Sequence, residues 1–187
     1  MTIRSCLCAL AALAMGGCAT TSGQLRDRFE AQLAANESAT AALQSWCATR
    51  NIADPAQITV EHVETSEKTP AGAIRWMLKV DADEPLGYRH VRLVCGSTVM
   101  SVAHNWYVPG RLTPAMNTTL ETTNTPFGRA VAELNFTRQR LESIKGPGAT
   151  CPSNAVLTHR AILRREEDAQ PISMVIECYT PANLAAL

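Results

Sequence analysis

The stretch that decides the fold is Tyr88-Arg89-His90-Val91-Arg92-Leu93-Val94-Cys95-Gly96-Ser97-Thr98-Val99-Met100-Ser101-Val102-Ala103-His104-Asn105-Trp106-Tyr107-Val108-Pro109. Apolar and β-branched residues fill both halves, and Gly96 lies between them. Two strands are predicted, Tyr88 to Gly96 and Val99 to Pro109, joined through residues 95–99 by a tight hairpin. A two-strand hairpin is antiparallel, which sets the character of the sheet. Downstream, Ala155 to Arg165 and Pro171 to Tyr179 form a second such pair around residues 165–170. Upstream, Gln57 to Glu64 and Ala73 to Asp81 read as two more strands. The clearest alternation is Ile74-Arg75-Trp76-Met77-Leu78-Lys79-Val80, which would set Ile74, Trp76, Leu78 and Val80 on one face.

Helices flank these strands. Leu25, Phe29 and Leu33, then Leu43, Trp46 and Cys47, recur at helical spacing between Gln24 and Cys47, with a break at residues 36–38. Thr113-Pro114 and Thr125-Pro126 each offer a hydroxyl N-cap before a proline whose missing N–H costs nothing at the first helical position. The second start continues in Phe127, Val131, Leu134, Arg138 and Leu141, a single stripe that predicts a helix, with Arg138 either reaching into a pocket or, as the helical spacing favours, pairing with Glu142. Helices set apart from sequential hairpins give an α+β domain with a mainly antiparallel six-stranded sheet.

The chain has 187 residues, 17 Lys+Arg and 17 Asp+Glu. Without a basic excess it lacks the charge to neutralise phosphates, so no nucleic-acid partner is expected. With 46% hydrophobic and 18% charged residues it is also too apolar for disorder. Repeats, a P-loop, G-x-S-x-G, H-E-x-x-H and a dinucleotide fingerprint are absent.

The first residues read as an export signal: Arg4, an apolar run from Leu7 to Met15 too short to span a bilayer, then Gly16-Gly17-Cys18. Residues 1–17 are expected to be a lipoprotein signal peptide, Cys18 the lipidated residue, 18–23 a tether and 24–187 a single domain facing the periplasm, taken as a monomer. A simple secretory signal is the alternative. Cys47, Cys95, Cys151 and Cys178 then sit in an oxidising compartment and are expected to form one or two disulfides, with separate buried thiols as the alternative. No zinc spacing occurs.

Several strings in order resemble the chorismate pyruvate-lyase family: Ser38-Ala39-Thr40, Arg89-His90-Val91-Arg92-Leu93-Val94-Cys95, Ala103-His104-Asn105-Trp106-Tyr107-Val108-Pro109, Thr125-Pro126-Phe127-Gly128-Arg129, Leu134 to Glu142, and Ile176-Glu177-Cys178-Tyr179-Thr180-Pro181. The resemblance covers Ser38 to the C-terminus. It implies helical lids over an enclosed cavity on an antiparallel sheet, and cleavage of chorismate to 4-hydroxybenzoate and pyruvate without metal or organic cofactor. A closed pocket, a cation for the ring carboxylate and a carboxyl group near the breaking ether bond would suffice there, because excluding water strengthens each interaction.

Carried over by position, the family's pocket carboxylate falls on Glu177 and its apolar turn residue on Phe127. Its carboxylate-binding arginine falls on His90, a second arginine on Asn105 and a pocket methionine on Ala39, three departures. Arg92 shares a strand face with His90 and is the nearest guanidinium that could substitute. The other reading makes His90 and Arg92 the solvated face of the strand whose apolar face is Val91, Leu93 and Cys95. Glu177 in an apolar strand calls for a partner or a ligand. His104 and His159 read as ordinary strand residues, Trp106 and Tyr107 as core. Chorismate is a cytoplasmic metabolite, which an exported protein would rarely meet. The expectation is therefore an envelope lipoprotein that binds a small aromatic or enolpyruvyl carboxylate. One alternative is a lyase with Glu177 as acid and Arg92 or His90 as anchor; the other is a structural or interaction lipoprotein with a vestigial pocket.

Overall fold

The computed structural model describes residues 17–64 and 71–185. The expected signal segment, apart from Gly17, lies outside them. The chain opens with α1 (Gly17–Ala34) and α2 (Ala39–Thr49). Residues 18–23, expected as a tether, are backbone of the first turns of α1. The break between the two helices falls where the sequence places it. Ser38 stands there in extended conformation, and its hydroxyl accepts from the Ala41 N–H at 3.4 Å, capping α2.

Then follow β1 (Ile58–His62), α3 (Ala71–Leu78), β2 (Gly87–Cys95), β3 (Thr98–Tyr107), α4 (Pro114–Thr122), α5 (Phe127–Ala130), β4 (Phe136–Lys145), β5 (Leu157–Arg165) and β6 (Pro171–Tyr179). All six strands join one antiparallel sheet in the order β1-β2-β3-β6-β5-β4. The α+β class and the strand count agree with the sequence reading, but two segments exchange roles.

In the clearest predicted strand, 73–81, residues 73–78 belong to helix α3 and 79–81 lie beyond its end. Its buried residues Ile74 and Leu78 are four apart, a spacing that satisfies a period of two as well as one of 3.6. Trp76, expected on the same face, is 82% exposed. A Schellman turn ends the helix: Lys79 takes a φ of 53°, its N–H donates to the Trp76 carbonyl and that of Val80 to Arg75. Arg111 closes the same end from across the fold, donating to the carbonyls of Leu78 at 2.7 Å and Lys79 at 2.9 Å.

The predicted helix beyond Phe127 is the reverse case. Helix α5 is one turn, a 3-10 turn spans Ala132–Leu134, and Asn135 with φ 45° breaks the direction. From Phe136 the chain is strand β4, paired along its length with β5. Arg138 and Leu141 continued the helical stripe by coincidence; Leu141 sits at a bulge and is 38% exposed. Charged residues along this edge strand keep it from pairing with other chains.

Three cores hold the layers. On one sheet face α1 and α2 bury Phe29, Leu43, Trp46, Ile58 and Tyr179. On the same face α4 and α5 bury Met116, Leu120, Phe127 and Val131 against Tyr107 and Leu163. On the other face α3 packs Ile74 and Leu78 on Trp106, Ile162 and Met174. Trp106 and Tyr107 are core residues, as expected. Each fully buried Leu, Ile or Phe contributes about 1.5–3 kcal/mol. Cys47–Cys95 ties α2 to the end of β2, and Cys151–Cys178 ties the β4–β5 loop to β6, with Cα separations of 6.5 and 5.5 Å. All four cysteines expected in the oxidised domain are thus paired.

Candidate ligand-binding site

The first two cores share the helix-covered sheet face, and between them a cavity remains. It holds about 520 Å3 of atom-free space, a figure that counts the open mouth as well as the enclosed part. The floor is the sheet: Val60, Arg89, Val91, Leu93, Ala103, Asn105, Val175 and Glu177. Glu37 to Thr40 at the start of α2 and Phe127-Gly128 at the start of α5 cover it, and Phe136 and Arg138 on β4 form a side wall.

Arg89 and Asn105 are direct cross-strand partners on β2 and β3. Arg89 is only 6% exposed. Its Nη2 donates to the Thr125 carbonyl at 3.1 Å, its Nε has no partner, and no carboxylate pairs with it among the described residues. Burial pulls its pKa below the ordinary arginine value, and Tyr107 offsets this only in part. The Asn105 Oδ1 accepts from the Ser173 hydroxyl at 2.9 Å, which orients the amide and leaves its NH2 without a bond among the described residues. A guanidinium and an amide NH2 side by side, both with donors unused, make a receptor for a carboxylate.

A second guanidinium on this cavity is in the opposite condition. Arg138 reaches from β4 across β5 to Glu177 on β6, donating Nη1 to Oε1 at 3.2 Å and Nη2 to Oε2 at 2.5 Å. Tyr179 donates its hydroxyl to the same Oε2 at 2.9 Å. Burial disfavours the charged Arg138, but the Glu177 carboxylate and its hydrogen bonds more than offset this, and the guanidinium lies above its ordinary pKa. Beside the pair stands His159, the direct partner of Glu177 on β5, 1% exposed and edge-on to the Tyr179 ring at 5.3 Å. Burial lowers its pKa to about 4, against the opposing pull of Glu177, so it is neutral at neutral pH. Its Nε2 has no partner among the described residues.

Of the residues expected at a site, Glu177, Asn105, Phe127 and Ala39 line this cavity. His90 and Arg92 do not. They project from the opposite sheet face, where His90 stacks on His104 at 4.2 Å between ring centres and Arg92 meets Glu61 at 3.8 Å. Burial and then Arg92 lower the His90 pKa, so its imidazole is a poor anion anchor at neutral pH. The physical reason is the two-residue period of a strand: Arg89, Val91 and Leu93 share one face, and a register one residue off selects the other. The cavity cation without a carboxylate partner among the described residues is Arg89, one residue before His90. A lone arginine on the parity of Val91 and Leu93 was the signal for it. Arg138 is likewise reassigned from Glu142 to Glu177; Glu142 instead meets Arg160 at 3.7 Å.

No family model matches the chain. The uncharacterized protein y4mC of Sinorhizobium fredii (strain NBRC 101917 / NGR234) is 40% identical over 171 residues, spanning 81% of this chain and 72% of that protein. The chain belongs to the y4mC family. Among solved structures, this y4mC-family chain is similar to the effector domain of PhnF from Mycobacterium smegmatis (12% identity, TM-score 0.53, 78% of this chain and 90% of that one). It is similar also to the longer PhnF chain (12% identity, TM-score 0.52), where 79% of this chain matches 65% of that one, just under two thirds. The fold is the chorismate lyase-like one. At this identity the likeness concerns fold alone.

Proposed function

We propose that this chain is an envelope lipoprotein whose chorismate lyase-like domain binds a small aromatic or enolpyruvyl carboxylate in the cavity, with Arg89 and Asn105 as the carboxylate anchor. The observation that carries the proposal is Arg89 itself, a buried cation on the cavity wall without a carboxylate partner among the described residues. A buried charge left unpaired is costly, and an anionic ligand removes that cost. The apolar side chains of Val91, Leu93, Phe127 and Val175 around it suit an aromatic or vinyl body. That the PhnF structure similar to it is an effector domain agrees with a small-molecule role for this fold.

Binding is favoured over lyase chemistry by the state of Glu177. A general acid must hold a proton and aim it at the leaving oxygen, whereas both oxygens of Glu177 already accept from Arg138, and one also from Tyr179. Export and anchoring through Cys18 are supported by the signal-like residues 1–18 and by two disulfides, which persist in oxidising compartments.

The test is a thermal-shift titration with chorismate and 4-hydroxybenzoate, with pyruvate assayed in parallel. A native-state ligand raises the melting temperature with concentration. Stabilisation without pyruvate release is expected. Pyruvate release that Glu177→Gln abolishes would replace the binder with a lyase, and no stabilisation by either compound would refute the pocket.

A further inference from the structure

Beside the cavity lies an open groove between α2 and the α5 segment, and the two spaces share Ser38, Thr40, Gly128 and Phe136. The partition between them is thus one residue thick. At its thinnest point Ser38 meets Gly128, where a Cβ would stand 2.6 Å from the serine Oγ, a contact that glycine avoids while the serine keeps this orientation. The serine is held on its other side by a single long bond, 3.4 Å from the Ala41 N–H. Turning it away gives up that one bond, the cap of α2.

The groove differs from the cavity in chemistry. Thr40, Gln44, Ser45 and Asn135 supply hydroxyl and amide groups, while Ala41, Ala48, Ala56, Ala132 and Phe136 make most of the surface apolar. Its one charged residue, Arg129, donates to Gln44 Oε1 at 2.9 Å across it. Uncharged groups that both donate and accept, set in a mainly apolar surface that includes the Phe136 ring, match the hydroxyl and C–H faces of a sugar.

We infer that the groove is a second subsite of the same ligand: the cavity takes the carboxylate-bearing ring at Arg89, and the groove takes a neutral, hydroxyl-rich substituent carried at the far end of that ring. The inference rests on the carboxylate-binding reading and names the class of ligand, a ring carboxylate with a glycosyl-type tail, in place of a free small acid. Ser38 is the residue that yields as the tail passes, and the Arg129–Gln44 bond is the strap over it.

The probes are 4-hydroxybenzoate and 4-(β-glucosyloxy)benzoate, titrated calorimetrically into the full chain and into Ala132→Trp, which fills the groove from its exposed side. Ala48→Trp serves as a second plug should the first fail to fold. The glucosylated probe is expected to bind about tenfold tighter than 4-hydroxybenzoate. Either plug should erase that advantage and leave the affinity for 4-hydroxybenzoate unchanged. Equal affinity of the two probes, or a plug that weakens both alike, would overturn the second subsite while leaving the carboxylate site standing. Binding of neither probe would overturn the carboxylate reading and this inference with it.

Discussion

Two arginines face the same cavity in opposite electrical states. Arg138 is held bidentate by Glu177, so its end of the cavity is internally neutral, whereas Arg89 is buried without a carboxylate and leaves its end cationic. The first arrangement is complete in the unliganded chain and serves to fix β4, β5 and β6 side by side. The second is incomplete, and its missing component has the chemistry of an anion. The difference separates a residue that holds the fold from one that waits for a ligand, although both are arginines, buried, and on one wall.

The comparison is broken most severely by removing the carboxylate from the neutral end. Glu177→Ala leaves Arg138 buried and unpaired, and the stability measured by denaturant titration should fall by about 3 to 5 kcal/mol. Next comes the disulfide that anchors the strand bearing Glu177. Replacing both Cys151 and Cys178 by Ser opens a loop with a sequence separation of 27 and should cost about 3 to 4 kcal/mol on the loop-closure estimate. A loss below 1 kcal/mol in the same titration would count against that contribution.

His159 sharpens the comparison through pH. Its folded pKa of about 4 lies below that of an ordinary histidine, so as pH falls the unfolded chain takes up the proton first. Its contribution is complete above about pH 6.5 and is lost progressively down to about pH 4, a total of about 3 kcal/mol. Subtracting the pH profile of His159→Phe from that of the parent isolates it, and a flat difference over that window would contradict the burial argument. The smallest effect belongs to the other sheet face. Arg92→Ala removes an exposed pair with Glu61 and should change stability by less than about 1 kcal/mol, with no effect on ligand-induced stabilisation.

Much of this architecture was legible in the sequence, and the failures share one cause. The hairpin about Gly96, the break at Ser38 and the Thr113 cap are local devices, and each lies where it was read. Ile74 and Leu78 fit both a strand and a helix; the cap from Arg111, which lies 32 to 33 residues away in sequence, bears on the choice and is invisible locally. Residues 136–145 are a strand because β5 lies beside them, which a helical stripe ending in Arg138 and Leu141 conceals. The site shows the same division. Glu177, Asn105, Phe127 and Ala39, reached by position in the sequence, line the cavity, while His90 lies one residue from Arg89, which in a strand means the opposite face. The Arg138–Glu177 pair joins strands β4 and β6 across β5 and has no signature in local spacing.

The most direct measurement is the thermal shift of the full chain and of Arg89→Gln with 4-hydroxybenzoate. Removing an unpaired buried cation should leave the unliganded melting temperature unchanged or raise it, since the desolvated guanidinium has one backbone hydrogen bond and no counter-charge. Ligand should then stabilise the parent in proportion to the logarithm of its concentration well above the dissociation constant, and should not stabilise the variant. A ligand response of equal size in parent and variant, or a variant destabilised as severely as Glu177→Ala, would show that Arg89 belongs to the fold and not to the ligand.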